Sequence, residues 1–466
     1  MTTRSPGRLD TSALIERYDR PGPRYTSYPT AVEFHAGFGA DDYGARLATA
    51  AAARDEPLSL YVHLPFCESR CAYCGCAVVA TSRRDVAAAY LGYLEREIAM
   101  LAAALEARRR VVQYHWGGGT PTYLSLDQIA HLDAVVRRHF DLAPDAERAI
   151  EIDPRVTTRE QIALLRRLGF NRLSFGVQDF APDVQHAIRR NQTEAETRLL
   201  YGSAREAGFD SINFDLVYGL PKQTAASFAR TLESVIEMRP DRIAIYSYAH
   251  VPWLRPNQKA IDPRDLPTPQ IKRQLLGLAI ERLSTAGYES IGMDHFALPG
   301  NDLAAAARER RLHRNFMGYT TRPAADSVAV GVSAIGEVAG AFAQNHKSLA
   351  RYYDAIDAGR FPVERGYALT DDDRLRRFVI AELMCHFQVD WAEVRARFGV
   401  NGCEYFAAEL AALGEPGGPA DDDLLETPPE GLGVTPRGRP FVRNICMAFD
   451  RYLGARQGRP VFSRTV

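Results

Sequence analysis

Three segments of this chain, LGFNRLSFG, AGFDSINFD and AGYESIGMD, superpose when aligned on Gly169, Gly208 and Gly287. In each, a helical pattern stops at glycine, an aromatic residue follows, and a strand-like run begins. Seven residues beyond the glycines stand Gly176, Asp215 and Asp294, which places these three at one level near strand carboxyl ends. The alternation extends along the chain. Apolar runs at 58–65, 111–117, 148–153, 171–177, 211–217 and 242–248 read as strands. Between the first two, Tyr90, Leu94, Ile98, Leu101 and Leu105 keep a 3.6-residue period and mark a long amphipathic helix. Thr157 and Glu160 form a capping-box pattern opening the helix after the third strand. Strands separated by helices of this length make βαβ units and a parallel sheet in an α/β fold. In a barrel of such units, ligands bind at the strand carboxyl ends.

The chain's 466 residues suit two or three domains, or one large barrel with extensions. Its 46% hydrophobic and 25% charged residues describe a globular protein with ample core. A net charge of -1 argues against a broad nucleic-acid-binding surface. No run approaches the about 18 apolar residues that span a bilayer. The opening MTTRSPGRLD has no apolar stretch of the signal-peptide kind. A cytoplasmic, reducing setting is expected, in which thiols stay available to metal.

Four of the cysteines, Cys67, Cys71, Cys74 and Cys76, fall within CESRCAYCGC, directly after the strand-like LSLYVHLPF. Thiolates on a short loop at this spacing can hold several irons of one cluster. A structural zinc site or a disulfide pair is the alternative, although zinc sites usually draw a second pair of ligands from a distant segment. The remaining cysteines, Cys385, Cys403 and Cys446, are isolated and expected to be inert. Gly118, Gly119 and Thr120 lie on a glycine-rich turn after the second strand. Missing Cβ atoms there permit backbone approach to a ligand, or simply a tight strand–helix connection.

CESRCAYCGC resembles the cysteine-x3-cysteine-x2-cysteine motif of the radical S-adenosylmethionine (SAM) superfamily. With it stand GPRYTSYPTA at 22–31, HWGGGTPTYL at 115–124, FGVQDF at 175–180, DLVYGLPKQT at 215–224, GMDHFA at 292–297 and RNFMGYTT at 314–321. Together they make the chain similar to the oxygen-independent coproporphyrinogen III oxidase family, from about residue 10 to the final FSRTV. The resemblance implies an incomplete parallel (β/α)6-type barrel over 56–365, with an N-terminal arm at 1–55 closing the active site. It also implies a mainly helical, winged-helix-like C-terminal domain at 366–466 that covers the open side of the barrel. Within that domain the turn-rich 414–434 reads as an insertion or small hairpin.

For chemistry, the resemblance implies one 4Fe–4S cluster held by Cys67, Cys71 and Cys74, with its fourth iron open to the amino and carboxylate groups of SAM. Electron transfer into SAM would yield a 5′-deoxyadenosyl radical that takes hydrogen from the β-carbon of a propionate. Loss of one electron and carbon dioxide then leaves a vinyl group. Two such events would turn coproporphyrinogen III into protoporphyrinogen IX. Cys76 is not a ligand in the family; a catalytic place near substrate or SAM is expected, with a buried thiol as the alternative. Tyr61, Gly118, Gly119, Thr120, Glu151 and Ile335 match contacts of the first SAM. A second SAM is implied near Tyr73, Gly119, Thr120, Gln178, Arg190, Asp215 and Ala249. Arg190 would pair with its carboxylate and Asp215 with its ribose or amino group; taken alone, Arg190 would read as part of a solvated helix face. The expected partners are coproporphyrinogen III, an electron donor such as flavodoxin or ferredoxin, and an unidentified acceptor. No nucleic acid, no membrane insertion and a monomer are expected.

His63, His115, His250 and His295 fall near strand ends and read as hydrogen-bonded structural histidines, and Met293, Trp116 and Trp253 as packing. GPRYTSYPTA is either a rigid cover or a segment that closes the site, with Arg24 free to meet substrate carboxylates. Two rivals stand beside the oxidase reading. A heme-binding chaperone on the same scaffold would lack the arm and Cys76. A non-enzymatic iron–sulfur sensor or electron carrier would not need the glycine turn and acidic strand ends.

Overall fold

The computed structural model describes residues 11–454 and 462–465, so the first ten residues of the expected arm and the last of FSRTV lie outside the described residues. The six strand-like runs form β1 (Leu58–Leu64), β2 (Arg110–Gly118), β3 (Asp141–Ile152), β4 (Arg172–Gln178), β5 (Ser211–Tyr218) and β6 (Arg242–Ser247). They pair in parallel and in chain order. One face is apolar. Val62, Trp116, Ile150, Leu173 and Ile212 stand in register across β1 to β5, all buried within the main core. The other face is polar, with Ser59, Gln113 and Glu147 in one row and Glu151, Ser174 and Asn213 in another. Successive strand residues point to opposite faces, so a single period-two pattern builds both the core and a polar interior.

The helices close the apolar side. Arg84–Ala104 buries Tyr90, Leu94, Ile98 and Leu101, and Leu105 caps its end. Gly169, Gly208 and Gly287 take φ of +88°, +78° and +86°, the left-handed turn that ends a helix. The capping box after β3 lies one residue later than the sequence pattern indicates, with Thr158 and Gln161 as its members. Thr157 is not free to cap, because its hydroxyl donates to the Asp153 carbonyl at 2.8 Å.

Beyond β6 the third repeat departs from its parents. β7 (Glu289–Gly292) is followed by a tight turn and β8 (His295–Ala297), which folds back antiparallel between β7 and β6. Asp294 stays at the level of Asp215 because its carbonyl accepts from Ile245 N–H at 2.8 Å, beside the Asp215–Ala244 pair. On the far side of β1 the sheet gains β9 (Asp326–Val330), parallel to β1, then antiparallel β10 (Ile335–Val338), β11 (Ala341–Asn345) and β12 (Val363–Ala368). Among the described residues this is one twelve-stranded sheet whose edge strands, β12 and β7, do not pair. The barrel is therefore incomplete.

The helix Asp371–His386 touches both flanks of that opening. Arg377 donates to Glu337 on β10 at 2.6 Å, and the Met384 carbonyl accepts from Tyr319, which abuts Gly292 on β7. Around this helix stand short helices and a small sheet of Gln388–Asp390, Gly431–Val434 and Leu425–Glu426, so part of 414–434 is the expected hairpin. Two boundaries shift. β12 belongs to the barrel sheet, so the C-terminal unit begins after Ala368. The helix Ala40–Ala51 buries Tyr43, Leu47 and Ala50 in the barrel core, so the arm ends before it. Trp253 is also not packing: it is 45% exposed in the irregular chain after β6.

Replacing Leu94 by alanine should cost about 2–5 kcal/mol, read as a lower urea midpoint. Leu126→Ala, at an exposed position, should stay within about 0.5 kcal/mol. Equal effects would show that the sheet–helix layer is not the main core.

Candidate functional site

The cysteine loop leaves β1 through Pro65 and Phe66, where β2 ends against it. Gly119 N–H donates to the Leu64 carbonyl and Thr120 N–H to the Phe66 carbonyl, both at 2.8 Å. A Cβ on Gly119 would lie 2.7 Å from the Pro65 and Phe66 oxygens. Gly118 has φ +116°, and a Cβ there would meet the His63 ring at 2.5 Å. The glycines are thus required by the contact between two stretches of protein, although both also line the cavity described below. Of the two readings of this turn, the tight connection accounts for the missing Cβ atoms.

Two side chains hold the loop's interior. Asn257 Nδ2 donates to the carbonyls of Cys71, Ala72 and Cys74 at 3.2, 3.1 and 3.0 Å. Gln258 Nε2 donates to those of Tyr73 and Ala249 at 3.0 and 3.1 Å. Ala72 N–H is anchored on the Ile188 carbonyl at 2.8 Å. Sequence reasoning passed over Asn257 and Gln258, because a polar pair in a Pro-led turn carries no periodic signal.

The sulfurs have distinct surroundings. Cys67 Sγ lies 3.4 Å from the Thr120 hydroxyl, and burial pushes its thiol up to about 11. Cys71 Sγ accepts from Arg155 at 3.6 Å and from Arg190 at 3.7 Å. Cys74 Sγ accepts from the Cys76 thiol and from its N–H at 3.4 Å, which brings Cys74 down to about 6 and holds Cys76 high. Cys76 is exposed rather than buried, so the buried-thiol reading does not hold.

These thiols open into a cavity of about 520 Å³. Every cluster, SAM or catalytic residue named from the sequence lines it except Tyr61 and Ile335, which with Arg24 line an adjoining cavity of about 370 Å³. Glu151 and Tyr246 belong to both. Arg190 is buried, not solvated. It pairs with Asp153 at 3.1 Å and donates to the Gly176 carbonyl at 2.6 Å. The expected pairing of Arg190 with a SAM carboxylate therefore meets a guanidinium largely committed to protein, with Nε left without an acceptor. Asp153 and Arg155, bound to each other at 2.6 Å, were also missed from sequence. Gln178 has φ +68° at the end of β4, a strained conformation of the kind that clusters at functional sites.

The acids differ by environment. Burial raises Asp215 to about 6 despite hydrogen bonds from Ser174 at 2.8 Å and Asn213 at 2.9 Å. Burial also pushes Glu151 up, but His115 and the Gly118 N–H outweigh it and hold this carboxylate below its usual value. Asp294 is held well down, since Arg24 and His295 together overcome its burial. Arg24 is thus taken by a protein carboxylate and is not the free substrate-binding cation expected from the arm. The four strand-end histidines have protein neighbours: His63 contacts the Tyr61 hydroxyl and the Ala77 carbonyl, His250 Tyr248, His115 Glu151 and His295 Asp294.

This donor set fits a cluster. Among the described residues no three Cys, His, Asp or Glu side chains converge to hold a single metal ion. Instead Cys67, Cys71, Cys74 and Cys76 line a cavity with room for a larger body, and Arg155 and Arg190 supply N–H···S contacts to Cys71 that offset thiolate charge.

Residues 61–235 match the family described as the radical SAM superfamily, and 369–441 the HemN C-terminal domain. A protein of Escherichia coli (strain K12) named oxygen-independent coproporphyrinogen III oxidase is 46% identical over 456 residues, covering 97% of this chain and 98% of that one. Its namesake in Synechocystis sp. is 42% identical over the full length of both. A solved structure of coproporphyrinogen III oxidase (HemN) from Escherichia coli, described as a radical SAM enzyme, superposes with a TM-score of 0.90 at 45% identity. That match covers 96% of this chain and 100% of the other.

Two measurements follow from the site. Asn257→Ala and Asn257→Asp should both lose iron faster than the parent on anaerobic gel filtration, since neither can donate to the loop carbonyls; an unchanged iron content in both would remove Asn257 from this role. For Asp215, a folded-state pKa above the ordinary carboxylate value means stability that is full below about pH 4 and lost as pH rises through about 6. Asp215→Asn should therefore stabilise the cluster-free protein at pH 8 by roughly 2–3 kcal/mol more than at pH 4. Equal shifts of the urea midpoint at both pH values would contradict it.

Proposed function

This chain belongs to the oxygen-independent coproporphyrinogen III oxidase family of the radical SAM superfamily, and we propose that it converts two propionates of coproporphyrinogen III to vinyl groups, giving protoporphyrinogen IX. The observation that carries this reading is the cysteine loop opening beside two strand-end acids, Glu151 and Asp215, in a chain matched over nearly its whole length by such oxidases. The heme-chaperone alternative lacks that support.

A cluster with bound SAM supplies one-electron chemistry able to remove hydrogen from an unactivated carbon. Cys67, Cys71 and Cys74 would hold the cluster, while Asn257 and Gln258 fix the loop and Arg155 and Arg190 offset its charge. Glu151, with Gly118 to Thr120, Tyr61 and Ile335, would bind the first SAM. A second SAM would lie along Tyr73, Gln178, Asp215 and Ala249, with Arg190 fixing the wall through Asp153. Cys76, exposed beside Cys74, would face the reacting groups. For each propionate the balance is loss of carbon dioxide, one proton and two electrons. One electron leaves with the hydrogen, and the other goes to an acceptor still to be identified. A flavodoxin or ferredoxin would reduce the cluster. The arm would exclude water: Arg443 grips the Pro23 carbonyl at 3.0 Å, and Tyr25 and Tyr28 sit in the C-terminal core, which would hold the arm over the barrel mouth. A cytoplasmic monomer fits this reading.

The test is anaerobic incubation of reconstituted protein with SAM, reductant, an electron-accepting extract and coproporphyrinogen III, followed by porphyrin analysis. Protoporphyrin should accumulate after oxidation of the products; its absence alongside a reducible cluster would refute the assignment. Cys76→Ser should keep the electron-spin signal of the reduced cluster and lose at least about 90% of turnover, as when a single group acting in the reaction is removed. Loss of iron equal to that in Cys67→Ser would make Cys76 a ligand instead.

A further inference from the structure

We infer that Arg314 binds a carboxylate, that of a substrate propionate, in the 370 Å³ cavity beneath the arm; this rests on the function proposed above. Arg314 lies on a short hairpin, opposite Tyr319 in the pairing of His313–Asn315 with Gly318–Thr320. Its guanidinium stacks over the Tyr319 ring at 4.6 Å, and Nη2 reaches the Arg24 carbonyl of the arm at 3.4 Å. Nε and Nη1 are shielded from solvent, yet neither finds an acceptor among the described residues. Buried donors are ordinarily satisfied, and a cation's donors most of all. Two such N–H groups at a cavity wall therefore point to an acceptor that arrives with the ligand.

The charges around the cavity support an anion. Arg24 is neutralised by Asp294. Glu151 already accepts from the Gly118 N–H and lies 3.5 Å from His115. Arg314 makes no hydrogen bond or ion pair to either acid among the described residues, although its charge reaches Asp294. Phe316 and Met317 give the same cavity an apolar wall. A cation beside an apolar wall suits a pyrrole ring carrying an acidic side chain. Because Glu151 and Tyr246 are shared with the cysteine cavity, a ring anchored here would stand next to the chemistry. SAM also carries a carboxylate, and the measurements must separate the two sources.

The experiment uses full-length, cluster-reconstituted protein and anaerobic ultrafiltration, with coproporphyrinogen III, its tetramethyl ester and SAM measured separately. Wild type should prefer the tetra-acid to the ester. Arg314→Gln should weaken tetra-acid binding by about tenfold to a hundredfold, the size of a charge-assisted hydrogen bond, and leave the ester and SAM unchanged. Arg314→Lys should fall between, keeping the charge without the fork. Unchanged tetra-acid affinity would overturn the inference. So would a loss confined to SAM, which would give Arg314 to the SAM carboxylate, or an equal loss for tetra-acid and ester, which would make it packing. Should Arg314→Gln lose its cluster or its fold, Arg314→Lys decides by the same readings. A wild type that binds the tetra-acid with this preference but never decarboxylates it would sink the proposed function and leave the carboxylate site standing.

Discussion

The close approach of β2 to the start of the cysteine loop is the contact on which the site depends. Gly119 and Thr120 continue the strand ladder past Leu64 onto Phe66, so the loop starts from a hydrogen-bonded position rather than from free chain. No residue with a Cβ fits where Gly119 meets Pro65 and Phe66. The loop's far side is then held by the Asn257 amide, one donor group serving three carbonyls. These contacts hold the segment that carries three potential ligands, which lowers the entropy cost of assembling a cluster on it.

Around this loop the protein places charge in pairs. Asp153 lies between Arg155 and Arg190, and both arginines reach Cys71. Asp294 lies between Arg24 and His295. Burying lone charges would be costly, so each arrangement matches a carboxylate with cations and hydrogen bonds. Asp215 is different. Its hydrogen-bond partners are neutral, and burial raises it to about 6. Carboxylates with pKa values driven apart in one cavity give a site both a fixed negative charge and a group able to exchange a proton.

The N- and C-terminal parts act on the barrel together. Tyr25 and Tyr28 from the arm fill the C-terminal core, and Arg443 holds the Gly22 and Pro23 carbonyls. The same short stretch sends Arg24 to Asp294 at the barrel mouth. The segment is thus fixed at one end in a core and at the other by an ion pair, and the helix Asp371–His386 touches both flanks of the gap left by the unclosed sheet.

Much of this was legible in the chain itself. The six parallel strands, the long helix on Tyr90 to Leu105, the three helix-ending glycines and the cysteine loop all rest on local rules, namely side-chain periodicity, the left-handed turn and ligand spacing. Family resemblance then drew together residues that line two adjoining cavities. Other features needed the folded molecule. β8 turns back beside β6, β9 adds to the free side of β1, and Ala40–Ala51 joins the core, because pairing partners far apart in sequence leave no local trace. The commitment of Arg24 to Asp294, the burial of Arg190 against Asp153 and the two unaccepted donors of Arg314 belong to the same class. Sequence determines which side chains carry charge and which face of a strand they take; only tertiary packing decides which opposite charge they meet, and so which cation remains for a ligand.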